Sequence, residues 1–224
     1  MFDAHRHFVA QEKTSDALYC TSSKKEWEVL DSLSSIAIGA AGALGNTPLS
    51  ILEDLQAFLH SHPTIQIGEV GLDRRFADMA SQEAFLSATL DLAFELDRSL
   101  TLHIVQADGL ALTCIKAAGN RLPRLLWHGF TGSIETAREV SRKGCILSFG
   151  LSIGKTRIGK HLSALKDFPL AIETDYEGPG TLPYTQILEN QYKNISSMLG
   201  IPVEQLIRKG YECRSILANN TTPR

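Results

Sequence analysis

Short apolar runs with β character alternate with longer amphipathic stretches along almost the whole chain, and few architectures accept such a rhythm. The proposed strands are Met1 to Phe8, Ala17 to Thr21, Ser35 to Ala40, Thr64 to Val70, Leu100 to Ile104, Arg124 to His128, Cys145 to Phe149 and Leu170 to Thr174, eight in all. Helical patterns fill the crossover positions: Lys24 to Ser34, Pro48 to His60, Ser81 to Asp97, Gly109 to Ala118, Ser133 to Lys143, a weaker one at Thr156 to Leu165, then Pro183 to Leu199 and Val203 to Leu217. Ser81 and Ser133 are placed to accept backbone N–H bonds at helix starts, and Gly144 and Gly200 to stand just past helix ends. Eight strands with intervening helices form either a closed (β/α)8 barrel or an open doubly wound sheet. A barrel gathers its reactive groups where strands run out into the βα loops, so the placement of polar residues separates the two.

That placement is one-sided. The first strand carries Asp3-Ala-His5-Arg-His7, and side chains two apart on a strand share a face, so His5 and His7 can meet one cation. Alone, this pattern fits a pair of half-buried histidines equally well. Glu69 interrupts an apolar run in the fourth strand, His103 and His128 follow the fifth and sixth, and Asp175 follows the eighth. Six nitrogen and oxygen donors exceed what one tetrahedral ion needs and suit two cations bridged by a carboxylate. Two ions about 3.5–4 Å apart can activate water and stabilise the attacking and leaving oxygens of a displacement. Hydrolysis is therefore the expected chemistry, with a phosphoester as the natural substrate. His60, His62 and His161 fall on helices or helix ends, are expected to be solvated, and are given no role.

Composition narrows the setting. At 224 residues, 43% hydrophobic and 21% charged, the chain is expected to form one compact domain over residues 1–218 with a polar tail at 219–224. The formal net charge of −3 supplies no global field for a phosphate polymer, so any nucleic-acid contact must be local. Cys20, Cys114, Cys145 and Cys213 are widely spaced, which fits buried thiols rather than disulfides. Asp3 and Arg6 stand where a signal peptide would place apolar residues, so a cytoplasmic location is expected. The uncharged stretch from Ser32 to Leu52 reads as a short buried strand, a loop and a helix start, not a membrane span.

The motifs resemble those of the TatD-type metal-dependent hydrolases, the TatD DNases, within the wider amidohydrolase-like barrels. Asp3-Ala-His5-Arg-His7 matches a D-x-H-x-H opening, and Gly68-Glu69-Val70-Gly71-Leu72-Asp73 matches G-E-[IV]-G-L-D. Leu102-His103, His128-Gly-Phe-Thr-Gly-Ser133 and Glu173-Thr174-Asp175 follow in family order. The resemblance implies a (β/α)8 TIM barrel with two divalent ions, zinc, manganese, iron or magnesium. His5, His7 and Asp175 would hold one ion, His103 and His128 the other, and Glu69 would bridge. Asp175 would also deprotonate the attacking water, with Glu69 as its catalytic companion, and Asp3 would fix a histidine ring.

The chain departs from the family pattern at Gly39-Ala-Ala-Gly42, where a G-x-H-P histidine is missing. It departs again at Ile104-Val105-Gln106, which lacks an arginine, at Gly129 in place of cysteine, and at the late Pro179. All of these spare the ligands and fall on loops, so they bear on substrate more than on metal. Arg74 and Arg75 follow G-L-D directly and are candidate substrate-phosphate contacts; as loop residues they read equally well as surface charge. Lys155 and Arg157 read the same way, and Trp127 is expected in the core. The expected activity is hydrolysis of phosphodiesters, DNA among them. The alternatives are hydrolysis of a carboxylic ester, amide or lactone by the same site, or a metal-binding barrel without turnover. No membrane and no obligate protein partner are expected.

Overall fold

The computed structural model describes residues 1–10, 12–178 and 180–218 of the chain. Eight strands form one sheet in chain order: β1 Asp3–Arg6, β2 Ala17–Cys20, β3 Ile38–Ala41, β4 Gln66–Asp73, β5 Ser99–Val105, β6 Arg124–Trp127, β7 Ile146–Phe149 and β8 Leu170–Ile172. Every neighbouring pair is parallel. Backbone bonds continue across the seam beyond β8: the Asp175 N–H donates to the His5 carbonyl at 3.0 Å, and the His7 N–H to the Tyr176 carbonyl at 2.9 Å. The architecture is thus an α/β (β/α)8 TIM barrel, as the alternation and the one-sided polar residues predict.

Parallel neighbours require a crossover, because consecutive strands must start from the same end of the sheet. The crossovers are α1 Ile51–Ser61, α2 Met79–Glu95, α3 Asp108–Ala117 and α4 Ile134–Arg142, with 3-10 segments at Lys24–Ser32 and Ile158–Leu165; α5 Tyr184–Leu199 follows the last strand. Strands covered by helices outside and by each other inside are buried on both faces, which explains their near-continuous apolar runs. Leu72, Phe85, Leu86, Leu100 and Trp127 belong to the large core that includes the strand-helix layer. Ala4, Leu18, Ile38, Leu126, Ile146 and Ala171 converge from six strands, with Phe2 just ahead of β1, to fill the lumen.

The last helix, α6 Val203–Leu217, has a different task. Its Cys213 and Leu217 join the lumen cluster, and the Leu217 carbonyl accepts from the Ser99 hydroxyl at 2.9 Å. Arg214 reaches Asp16 at 2.7 Å and the Ile36 carbonyl at 2.8 Å. Asp16, Ile36 and Ser99 all lie at strand beginnings, so α6 closes the N-terminal mouth and leaves the opposite mouth for loops.

Several expectations shift in detail. The segments at Lys24 and Ile158 are 3-10 helices. Helix α2 starts at Met79, ahead of Ser81, because the Asp78 carboxylate accepts both the Ser81 N–H at 3.0 Å and the Ser81 hydroxyl at 2.6 Å. Ser133 does cap α4, accepting from Thr136 N–H at 3.1 Å. The stretch from Ser32 to Leu52 holds β3, a loop and the start of α1. Among the described residues no helix is long and apolar enough to cross a membrane. All four cysteines are free and buried. The late Pro179 and the tail at 219–224 lie outside the described residues.

Candidate metal centre

The C-terminal mouth is built from the strand ends and the first residues beyond them. His5 lies on β1, with His7 just past it; Glu69 is in the middle of β4, since that strand runs on to Asp73. His103 lies within β5, His128 one residue past β6, and Asp175 beyond β8. Chain sequence alone keeps these residues far apart, and barrel closure brings all six together.

Glu69 stands at the centre. One of its oxygens, Oε2, lies 2.9 Å from His128 Nε2, 3.0 Å from His103 Nδ1 and 3.8 Å from His5 Nε2, while Oε1 lies 3.6 Å from His7 Nε2. Asp175 Oδ1 is 3.4 Å from His5 Nε2 and 3.5 Å from His7 Nε2. His103 Nδ1 also faces His128 Nε2 at 2.9 Å, and the His5 and His128 rings stack with centroids 3.9 Å apart. Two groups of donors result, His5 with Glu69 and His128, and His5 with His7 and Asp175, each with ligand atoms within 4.8 Å of one another.

Local sequence explains the close approach. A side chain at Gly71 would put its Cβ only 1.7 Å from the His103 carbonyl oxygen, so glycine alone lets β4 and β5 come together there. Asp175 takes a left-handed backbone with φ of +50°, which costs a non-glycine residue free energy and carries its carboxylate over His5 and His7.

The electrostatics follow from burial opposed by charge. Burial raises the Glu69 pKa, but hydrogen bonds from His103 and His128 outweigh it and hold the group well below the usual carboxylate range. Asp175 is held far down in the same way by His5 and His7. Burial and the neighbouring His128 ring push His5 below a free imidazole. His7 and His128 are also disfavoured by burial, yet Asp175 and Glu69 raise the first, and Glu173 and Glu69 the second.

The donor set fits divalent cations. His5 Nε2, turned toward Glu69 and Asp175, is buried without a hydrogen-bond partner, a costly state for a polar atom unless something else satisfies it. Imidazole nitrogens facing one another and a shared carboxylate are what a pair of Lewis-acidic ions requires.

Two further carboxylates support this cluster, and the sequence reading gave them no role. Asp73, the last residue of G-E-V-G-L-D, places Oδ2 3.4 Å from His103 Nε2. Glu173, the first residue of E-T-D, places Oε1 3.6 Å from His128 Nδ1 and accepts from the Ser148 hydroxyl. Both stand behind ring nitrogens turned away from Glu69, where a carboxylate fixes tautomer and orientation. The motif boundaries were the available signal. Asp3 does not fix a ring. It accepts from the backbone N–H groups of His5 at 3.3 Å and Thr174 at 3.0 Å, and from the hydroxyls of Thr174 at 2.6 Å and Tyr184 at 3.0 Å, so it ties β1 to the segment after β8.

Arg75 grips Asp73 through Nε at 2.8 Å and Nη2 at 2.5 Å and borders two cavities, of about 440 and 390 Å³, on either side of His103. Arg74 gives its Nε to the Gln106 carbonyl at 2.7 Å. Trp127 is in the core, as expected. His62 is not simply solvated: it stacks on Phe58 and faces Asp31 at 3.2 Å.

The family model described as TatD related DNase matches residues 13–213. Among curated proteins, the 3'-5' ssDNA/RNA exonuclease TatD of Edwardsiella piscicida is 36% identical over 105 residues, covering 46% of this chain and 38% of that protein. The uncharacterized metal-dependent hydrolase YabD of Bacillus subtilis (strain 168) is 31% identical over 116 residues, covering 50% of this chain and 46% of that protein. The chain thus spans about half or less of the length of the curated relatives it matches. Among solved structures, YJJV, a TatD homolog from Escherichia coli K12, superposes with a TM-score of 0.75 at 20% identity over 99% of this chain and 98% of that one, a likeness of fold.

Proposed function

The chain belongs to the TatD-related DNase family, and from that premise we propose that it is a metal-dependent hydrolase of phosphodiester bonds in nucleic-acid strands. The observation that carries this reading is the convergence of His5, His7, Glu69, His103, His128 and Asp175 about a buried His5 Nε2 that lacks a hydrogen-bond partner. The likeness to the Edwardsiella 3'-5' ssDNA/RNA exonuclease supports the substrate class.

In this reading His5, His7 and Asp175 would hold one divalent ion and His103 and His128 the other, with Glu69 available to both. Bound ions would make a water molecule more acidic and offset charge on the phosphate. Asp175 accepts the proton of the attacking water: its side chain is 50% exposed, so solvent reaches it, and its neighbours keep it ionised. Glu69 is 96% buried and serves as a fixed anion. Asp73 and Glu173 hold the rings of His103 and His128. Arg75 presents its guanidinium to the substrate phosphate from the rim shared by the two cavities; Arg74, the other candidate, borders neither and gives its Nε to the Gln106 carbonyl.

The test combines elemental analysis of purified protein with a screen of bis(4-nitrophenyl) phosphate, single-stranded oligonucleotides and 4-nitrophenyl acetate under each added metal. Up to two equivalents of metal and diester cleavage are expected. Less than one equivalent after reconstitution, or turnover of the acyl substrate alone, would overturn the reading.

A further inference from the structure

Charge on the catalytic face is unevenly divided about the metal centre. The cavity on the β4 side is bordered by Glu26, Glu69, Asp73 and Glu177 against a single arginine, Arg75. The connection after β7, residues 150–169, carries Lys155, Arg157, Lys160 and Lys166 against one acidic residue, Asp167, in a chain whose net charge is −3. Leu151, Ser152 and Ile153 at its start line the metal-facing cavity of about 440 Å³, so the basic run begins at the rim of that cavity.

A second cavity, of about 550 Å³, opens next to it, and Thr131 borders both. Arg157 lines it from the connection after β7, and Arg138 from α4. Neither guanidinium makes a hydrogen bond or an ion pair among the described residues. Two carboxylates, Asp108 and Glu135, also border this cavity. They balance the two arginines within the lining, and Lys155 and Lys160, exposed nearby in the chain, add positive charge beside it.

Two guanidiniums, supplied by separate elements and attracted through space to Glu135 without a hydrogen bond, stand beside a hollow that continues from the reacting site and match the oxygens of a phosphodiester. We propose that this cleft is a second phosphate subsite, where Arg138 and Arg157 grip the backbone phosphate of a nucleotide flanking the one at the metal centre. The proposal rests on the nuclease reading above. It assigns the strand a direction: the chain leaves the metal centre over Thr131 toward the β7 connection and away from the acidic β4 side. Substrates longer than one phosphodiester therefore gain affinity that small diesters cannot.

The test uses a fluorescein-labelled oligothymidylate with metal-loaded protein, in an Asp175→Asn background so that binding is read without cleavage. Fluorescence anisotropy across a salt series gives the slope of log affinity against log salt. Replacing both arginines (Arg138→Gln with Arg157→Gln) removes two phosphate contacts and is expected to flatten that slope by about 1.4, at roughly 0.7 per contact on single strands. With Asp175 restored, the double variant should lower the ratio of oligonucleotide to bis(4-nitrophenyl) phosphate kcat/KM about tenfold or more. Arg138→Lys should retain part of the slope, and melting temperature checks that the exposed substitutions leave the fold intact. An unchanged slope with an unchanged ratio overturns the subsite, while diester turnover by the parent keeps the nuclease reading. If the parent neither binds the strand nor cleaves a diester, both fall.

Discussion

At the scale of single residues, the centre depends on groups that are unfavourable on their own. Asp175 holds a left-handed backbone so that its carboxylate can face two histidines, and asparagine, which tolerates that conformation, is the informative replacement. Asp175→Asn should lower diester turnover by about 10²- to 10⁴-fold, the span of a lost general base, with an unchanged circular dichroism spectrum. Glu173→Gln should weaken metal affinity by about 10- to 100-fold in a chelator competition, because the His128 ring loses the charge behind it. Proton competition has a definite sign. His7 and His128 have raised pKa values, so in metal-free protein their ion pairs with carboxylates stabilise the fold below the unfolded imidazole pKa, and that contribution is lost as pH rises through the raised values. Metal must displace those protons, so the rise in melting temperature on adding zinc should grow as pH rises above the ordinary imidazole value of about 6.5. A rise independent of pH would place the ion elsewhere. The chemistry-bearing residues were legible in the sequence because each interrupts an apolar run. Asp73 and Glu173 passed unnoticed because each sits next to a stronger signal and acts through a neighbour's ring.

At the scale of elements, β4 and α6 bear the largest structural demands. The β4–β5 contact leaves no room for a methyl group at Gly71, so Gly71→Ala must part the strands at His103. Loss of metal binding is expected even where the chain still folds, measured by metal content of the purified variant. Helix α6 seals the opposite mouth with Leu217, which is fully buried. Leu217→Ala should cost about 2–5 kcal/mol in chemical denaturation through lost burial and the cavity left behind, with the metal centre spared by its distance along the barrel. Strand and helix positions were readable throughout because the apolar period is strong. The capping of α2 by Asp78 was not, since serine at position 81 offers a similar oxygen and only the geometry shows it donating. Likewise the segment at Lys24 has the residues of a helix, and its tighter 3-10 winding came only with packing against the barrel.

At the scale of the whole molecule, the barrel divides its tasks between its two ends. Lumen packing and α6 stabilise one end, and the other gathers buried polar groups, the unpartnered His5 Nε2 among them, whose cost metal ions would offset. Removing metal with a chelator should therefore abolish activity and lower the melting temperature while leaving the secondary structure in place, and adding metal back should restore both. The primary structure by itself determined the class of fold, because eight apolar runs joined by amphipathic stretches have few ways to bury both faces. It also marked six candidate donors, because histidine and carboxylate at strand ends are costly unless used. Only the tertiary structure decided that Glu69 stands between the histidines, that Asp3 braces backbone and not a ring, and that Arg138 and Arg157 share one cleft. Those relations join residues distant in the chain, and the twist and closure of the sheet set the distances between them, which local spacing does not encode.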